Sequence, residues 1–277
     1  MKSIFRSLKA VARRILPPRV TAALRILLTR RPITYSDPYP SWAAAKQDAI
    51  GYDDPAILNK IKEAALTVKE GRAAFEKDSV AHARPDFRWP LLACLLHAAR
   101  HGNTPGGRTF HVLDFGGSLG SVYFQHRVFF HTMPAMLWSV VEQPHFVRCG
   151  NAEFADERLH YFNTIEEAAA RAPIDVALFS SSLDYVDAPY DILTQIGALN
   201  CGYLILDRLH VSALSDDQFK LQRIAPPIYA ARLAVRFFSP QKLLAHLRSI
   251  GYAPIAALPN GFFFERKLES DFEVAAC

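Results

Sequence analysis

Residues 112 to 120, VLDFGGSLG, constrain the fold of this chain more than any other stretch. An apolar pair leads into Asp114, two residues before the first of three glycines (Gly116, Gly117 and Gly120), and an apolar, helix-compatible run resumes at Val122. That order reads as strand, tight turn, helix. The glycines supply backbone angles that a Cβ forbids, and they let a ligand come close to the main chain where the following helix offers free N–H groups. A nucleotide-like ligand fits such a turn. Dinucleotide-binding sheets also carry glycines there, as G-x-G-x-x-G, so the turn alone does not choose between ligands.

Asp114 separates the options. A pyrophosphate would be repelled by a carboxylate two residues before the first glycine, whereas S-adenosylmethionine (SAM) carries an ammonium and a sulfonium and no phosphate. The spacing D-x-G-x-x-x-G, from Asp114 through Gly116 to Gly120, resembles the first motif of class I SAM-dependent methyltransferases, with Ser118 in place of the middle glycine and Gly117 additional. Asp114, Gly116, Gly117, Ser118 and Gly120 are therefore candidate cofactor-binding residues. The plainer alternative is a turn that only packs a helix on a strand.

Composition sets the outer bounds. Half of the 277 residues are apolar, enough for one large α/β unit with an N-terminal extension. No apolar run reaches the length of a membrane-spanning helix. Cys94, Cys149, Cys201 and Cys277 are scattered without a C-x-x-C pair, which points to a reducing, cytoplasmic setting and to neither a disulfide framework nor a metal site. His126 and His131, five apart, read as helix-surface residues rather than ligands.

The net charge of +5 is local in origin. Residues 1–31 hold nine Lys or Arg and no acid, so the rest of the chain carries 23 basic and 27 acidic residues. Lys2, Arg6, Lys9 and Arg13 recur at helical spacing opposite Ile4, Phe5, Leu8, Val11 and Ile15. A helix of that kind suits an anionic membrane surface, here the inner face of the membrane. A solvated tail and an organelle-targeting start are the other readings. The remainder shows no basic run with interleaved aromatics, so nucleic acid is not expected.

In chain order, residues 32–40 read as a linker. Ser41 caps a helix over 42–50 closed by Gly51, and Asp54-Pro55 opens a second helix to about residue 70. A third runs from about 90 to 101. Residues 32–108 are thus expected to form a helical cap, and Arg72 to Arg88 a solvated connection or a segment folded over the cofactor. Residues 109–277 alternate strand and helix. Strands are expected at 110–115, 137–142, 159–162, 175–181 and 202–207, with a capping box at Thr164 and Glu167. Ser239 caps a helix through Ile250, and strands at 252–258 and 261–267 flank Pro259-Asn260 as a hairpin. The expected fold is α/β: a Rossmann-like, seven-stranded, mostly parallel sheet ending in a β-hairpin, in the chain order of class I methyltransferases.

Ligands of such sheets bind at the carboxyl ends of the strands. That rule nominates Glu142, where an acid accepts ribose hydroxyls of SAM or of NAD, then Asn163 for the adenine edge, and Ser180 and Ser181 beside the methionine moiety. Tyr185 follows on the acceptor side. Past the fifth strand, Asp207 and His210 are candidate bases for a hydroxyl acceptor, and Arg208 suits an acidic sugar or a phosphate. Leu209 to Phe238 reads as a long acceptor-binding lid, with Gln222 and Tyr229 as polar contacts.

The stretches SWAAAKQDAIGYDDPAIL, WPLLACLL, VLDFGGSLGSVYFQHR, VVEQPHFV, LFSSSLDYVDAPYDIL, ILDR and QRIAPPIYAARLAVRFFS resemble a family of class I SAM-dependent methyltransferases found among bacterial surface-polysaccharide genes, including those for lipopolysaccharide O-antigen and capsule. The likeness runs from about residue 35 onward and leaves out the basic tail. It implies SAM as cofactor and a sugar or glycan acceptor, lipid-linked if the tail holds the protein at a membrane. Two other classes stay open: an NAD-dependent oxidoreductase or epimerase acting on a nucleotide sugar, against which Asp114 and the lack of a downstream Y-x-x-x-K pair both count, and a non-catalytic protein that keeps the cofactor site.

Overall fold

The computed structural model describes residues 33–50, 55–101, 109–130, 133, 135–226 and 228–267. The basic segment 1–31, and with it Gly51, Asp54 and His131, lies outside those residues.

The expected linker is in part a strand. Ile33–Tyr35 (β1) pairs antiparallel with a strand nearly two hundred residues later, Ile33 opposite Ile224 and Tyr35 opposite Gln222. Ser41 then caps α1 (Trp42–Gln47) by accepting a hydrogen bond from the Ala44 N–H at 3.2 Å. The helix stops short of Ile50, which bridges to Arg232 instead. After α2 (Pro55–Lys69), the charged stretch from Arg72 forms a hairpin, β2 (Phe75–Lys77) and β3 (Val80–His82), and α3 (Trp89–His101) follows. The hairpin packs on α2, so the described residues from 33 to 101 hold strands as well as the expected helices.

The parallel core comes from apolar runs. Strands β4 (Phe110–Phe115), β5 (Met136–Val141), β7 (Val176–Ser180) and β8 (Tyr203–Asp207) are almost continuously buried, as strands covered on both faces must be. Between them come α4 (Ser121–Phe130), α5 (Pro144–Glu153), β6 (Leu159–Phe162), α6 (Ile165–Arg171) and α7 (Pro189–Ala198). Thr164 Oγ1 accepts from the Glu167 N–H at 3.2 Å, and Glu167 returns the bond to the Asn163 N–H at 2.8 Å, which starts α6 firmly. One face of the sheet packs Val112, Trp138 and Leu178 under α2, α3, α4 and α5; the other packs Leu113, Ala177 and Leu204 under α6, α7 and a last helix.

That last helix is α8 (Pro240–Ser249), capped by Ser239 and preceded by β9 (Gln218–Ile224) and β10 (Ala231–Phe237). The expected long lid is therefore a sheet, β1-β9-β10, with Leu221 and Val235 turned inward. The chain ends its described part in the hairpin β11 (Tyr252–Leu258) and β12 (Gly261–Arg266). The seven-stranded order is β11-β12-β8-β7-β4-β5-β6, with β12 inserted antiparallel against β8. No helix among the described residues is long and apolar enough to cross a membrane.

Candidate active site

The order of the parallel strands reverses at β4, which has β5 on one side and β7 on the other. Loops leaving two such strands diverge and open a crevice at their carboxyl ends. A cavity of about 1140 Å³ lies there, roofed by β1, the β2-β3 hairpin and the β9-β10 sheet.

The glycine loop forms one wall. Gly116 has φ +68, and a Cβ there would lie 2.4 Å from Ser182 Cβ; a Cβ on Gly117 would lie 2.5 Å from Asp114 Oδ2. Both positions thus admit only glycine, Gly116 because of its positive φ and the close Ser182, and Gly117 because the loop there runs directly over the Asp114 carboxylate. That carboxylate is fully buried. Trp138 Nε1 donates to Oδ2 at 3.1 Å, while Oδ1 has no protein partner among the described residues. Burial pushes its pKa up to about 7, against the opposing pull of the Trp138 bond and with a further push from Glu142. A carboxylate so placed gains from a bound cation. Ser118, with φ +56, donates its N–H to Glu142 Oε1 at 3.1 Å, and the Gln143 N–H donates to Oε2 at 2.8 Å. Burial raises the Glu142 pKa and these two N–H groups oppose the rise. The buried hydroxyls of Ser118 and Ser182 have no protein partner among the described residues.

Asn163, Ser180, Ser181, Arg208, His210, Tyr185, Gln222 and Tyr229 all line the same cavity. Two of the nominated residues do not. A Cβ on Gly120 would face Leu159 and Tyr161, and neither Gly120 nor Asp207 lines the cavity. Asp207 is also engaged: Arg88 forms an ion pair with it, and Ser180 Oγ donates to its Oδ2 at 2.8 Å while accepting from Arg88 Nη1 at 2.9 Å. A carboxylate that a guanidinium holds in this way is a poor base. Arg88, which sequence patterns did not single out, is itself pushed down to about 9 by burial and by the neighbouring charge of Arg208. Its backbone N–H donates to His126 Nε2 at 3.1 Å. His126 is wholly buried, not a surface residue, and its Nδ1 lies 2.9 Å from the Val122 carbonyl oxygen.

Across the cavity from the glycine loop five side chains form one hydrogen-bonded series. Asp184, fully buried on the turn Leu183–Tyr185, accepts from the His210 N–H at 2.7 Å and lies 3.3 Å from His210 Nδ1. His210 Nε2 is 2.7 Å from the Tyr35 hydroxyl, which accepts from Gln222 Nε2 at 3.1 Å; Gln222 Oε1 in turn accepts from the Tyr185 hydroxyl at 3.2 Å. The network fixes the tautomer. Nδ1–H donates to Asp184, leaving the Nε2 lone pair toward Tyr35. Asp184 and Tyr35 were not nominated from sequence; the L-D-Y after the fourth strand was the one available signal for the former.

The roof is clasped at the hairpin tip. Asp78 and Ser79 have φ +53 and +63, and Ser79 Oγ donates to the Ile228 carbonyl at 3.2 Å, across the cavity mouth. Beneath the tip, the buried Glu76 carboxylate accepts from the Ser79 N–H and the Ser121 hydroxyl.

The strand order, with an antiparallel strand inserted next to the fifth parallel one, is that of the class I methyltransferase fold. No family model and no curated protein matches the sequence. Solved structures similar to it include the N-terminal domain of EvdMO1 with S-adenosylhomocysteine (SAH) and D-fucose, at 15% identity over 79% of this chain and 100% of that one, TM-score 0.45. Another is SAM-bound CalS10, an amino pentose methyltransferase from Micromonospora echinaspora, at 12% identity, 75% and 97% coverage and TM-score 0.43. A third is an O-methyltransferase family 2 protein from Planctomyces limnophilus DSM 3776 in complex with apigenin, at 17% identity over 80% of this chain and 64% of that one, TM-score 0.48.

Proposed function

We propose that this chain is a SAM-dependent methyltransferase that O-methylates a sugar, as part of a bacterial surface polysaccharide or of its precursor. The observation that carries the reading is one cavity with a buried carboxylate under a glycine loop at one end and a histidine oriented by a buried aspartate at the other. Asp114 and Ser118 would hold the amino-acid end of the cofactor, and Glu142 the ribose. A raised carboxyl pKa and unpartnered buried oxygens at Asp114, Ser118 and Ser182 suit a cationic, hydrogen-bond-rich ligand and oppose a pyrophosphate. When bound, the cofactor supplies an electrophilic methyl group on sulfonium.

The chain's own contribution is then alignment and proton removal. Sugar hydroxyls are weak acids, so their attack needs a base, and such a base contributes typically 10²–10⁴-fold. His210 fills that role and Asp184 stabilises the imidazolium that forms. Tyr185, Gln222 and Tyr229 line the acceptor half, while Arg208 faces any anionic substituent of the sugar. In this reading residues 109–277 hold the cofactor, residues 32–108 cover it, and the basic segment 1–31 keeps a cytoplasmic enzyme at the inner membrane face beside a lipid-linked acceptor.

The first test is calorimetric titration with SAH against NAD. Micromolar binding of SAH alone supports the reading, and binding of NAD alone, or of neither, sinks it. Transfer of tritiated methyl from SAM to free, nucleotide-linked and lipid-linked sugars then identifies the acceptor. Retention of transfer in a His210→Phe variant would remove the base.

A further inference from the structure

Tyr35 lines the cavity beside His210 and covers its Nε2. Its hydroxyl donates to His210 Nε2 at 2.7 Å and accepts from Gln222 Nε2 at 3.1 Å, and both of its neighbours are themselves fixed, His210 by Asp184 and Gln222 by Tyr185. The ring lies edge-on to His210 and to Phe237, with centroids 5.4 Å away in each case. Yet Tyr35 is 42% exposed and lines the cavity, while the buried Gln222 beside it is only 5% exposed. The lone pair that a base would use therefore already receives a proton donor, and that donor is the group open to the cavity. A phenolic oxygen that donates one proton can still accept another.

We infer that Tyr35 is a catalytic residue that relays the acceptor's proton to His210, an inference that rests on the methyltransferase reading above. The acceptor oxygen forms a bond to the methyl carbon as the carbon–sulfur bond breaks, and that bonding pair stays on sulfur. The acceptor's proton passes to the Tyr35 oxygen, and the Tyr35 proton passes to His210 Nε2. Asp184 faces the resulting imidazolium, and the proton leaves to solvent after product release. Tyr35 is thus the first proton acceptor and returns to its phenol form within the same step. Gln222, donating to the Tyr35 oxygen, steadies the charge that develops there.

The experiment compares wild type, Tyr35→Phe and His210→Phe in tritiated methyl transfer from SAM to the free, nucleotide-linked and lipid-linked sugars of the acceptor screen above, with SAH affinity measured calorimetrically for each. The expected result for Tyr35→Phe is a fall in kcat of about 10²-fold, SAH affinity within twofold of wild type, and a proton inventory in H₂O/D₂O mixtures that changes from curved, with two protons in flight, to linear. A kcat within threefold of wild type, or a loss matched by equal loss of SAH affinity, overturns the relay. His210→Phe separates the layers: if it abolishes transfer while Tyr35→Phe does not, the relay fails and the base stands. If neither variant loses activity, or if wild type methylates none of these sugars, the underlying reading of a base-assisted sugar methyltransferase fails and the relay falls with it.

Discussion

Replacing Asp114 by Asn tests the buried carboxylate through two effects of opposite sign. Burial raises the pKa of Asp114 from 3.8 to about 7. Between those values the folded protein keeps a proton that the unfolded chain has released, so the group's contribution to stability is fully present below the unfolded pKa and is lost as pH rises through the folded one. At 1.36 kcal/mol for each pKa unit, keeping the carboxylate ionised costs the fold about 4 kcal/mol at pH 8. Asparagine has no charge to desolvate and retains an oxygen for Trp138 Nε1. The variant should therefore gain up to about 4 kcal/mol over wild type at pH 8 relative to their difference at pH 4, read by chemical denaturation at both pH values, where all other titrations cancel between the two proteins. In the proposed reading the same change also removes the partner of the cofactor's ammonium. A hydrogen bond to a charged group is worth about 1.5–3 kcal/mol, so SAH affinity should fall roughly 10-fold to 150-fold. A variant that gains nothing at pH 8 and binds SAH as wild type does would refute the reasoning on both counts.

Two further outcomes follow from the residues beneath the cavity. His126, held down at about 4 chiefly by burial, stays neutral in the fold while the unfolded chain protonates near 6.5. Stability should therefore fall as pH drops from 6.5 to 4, by about 3 kcal/mol, and His126→Gln, which can keep both hydrogen bonds, should flatten that limb in urea titrations. Arg88→Met leaves the Asp207 carboxylate, 13% exposed, with only the more distant Arg208 Nε, at 4.0 Å, as an ion-pair partner. A loss of about 3–5 kcal/mol is expected, and Arg88→Met with Asp207→Leu should recover most of it in thermal unfolding.

The parallel sheet could be read in the sequence because each of its strands is a short apolar run with a turn at its end, a property of local composition. The glycine loop and Asp114 were legible for the same reason: a buried acid next to glycines breaks the apolar pattern that a structural turn would keep. Tyr35 was not. Its strand is three residues long and finds its partner at Gln222 to Ile224, a pairing that no local period announces. The β2-β3 hairpin hid behind its turn, where Asp78 and Ser79 adopt positive φ without the glycine that marks such turns. The ion pair of Asp207 with Arg88 was not legible because Arg88 arrives from before the sheet begins; the sequence offered only the adjacent Arg208, whose Nε lies 4.0 Å from Asp207 Oδ2.

The strand that carries Tyr35 is also the first described element of the chain, and Tyr35 is four residues from the end of the basic segment at Arg31. Four residues span at most roughly 14 Å. Whatever engages residues 1–31, a bilayer or another molecule, is thus tethered to the acceptor end of the cavity and not to the cofactor end. If the proposed relay holds, location and proton transfer share one short leash, and a protein shortened to begin at the parallel sheet would part with both together.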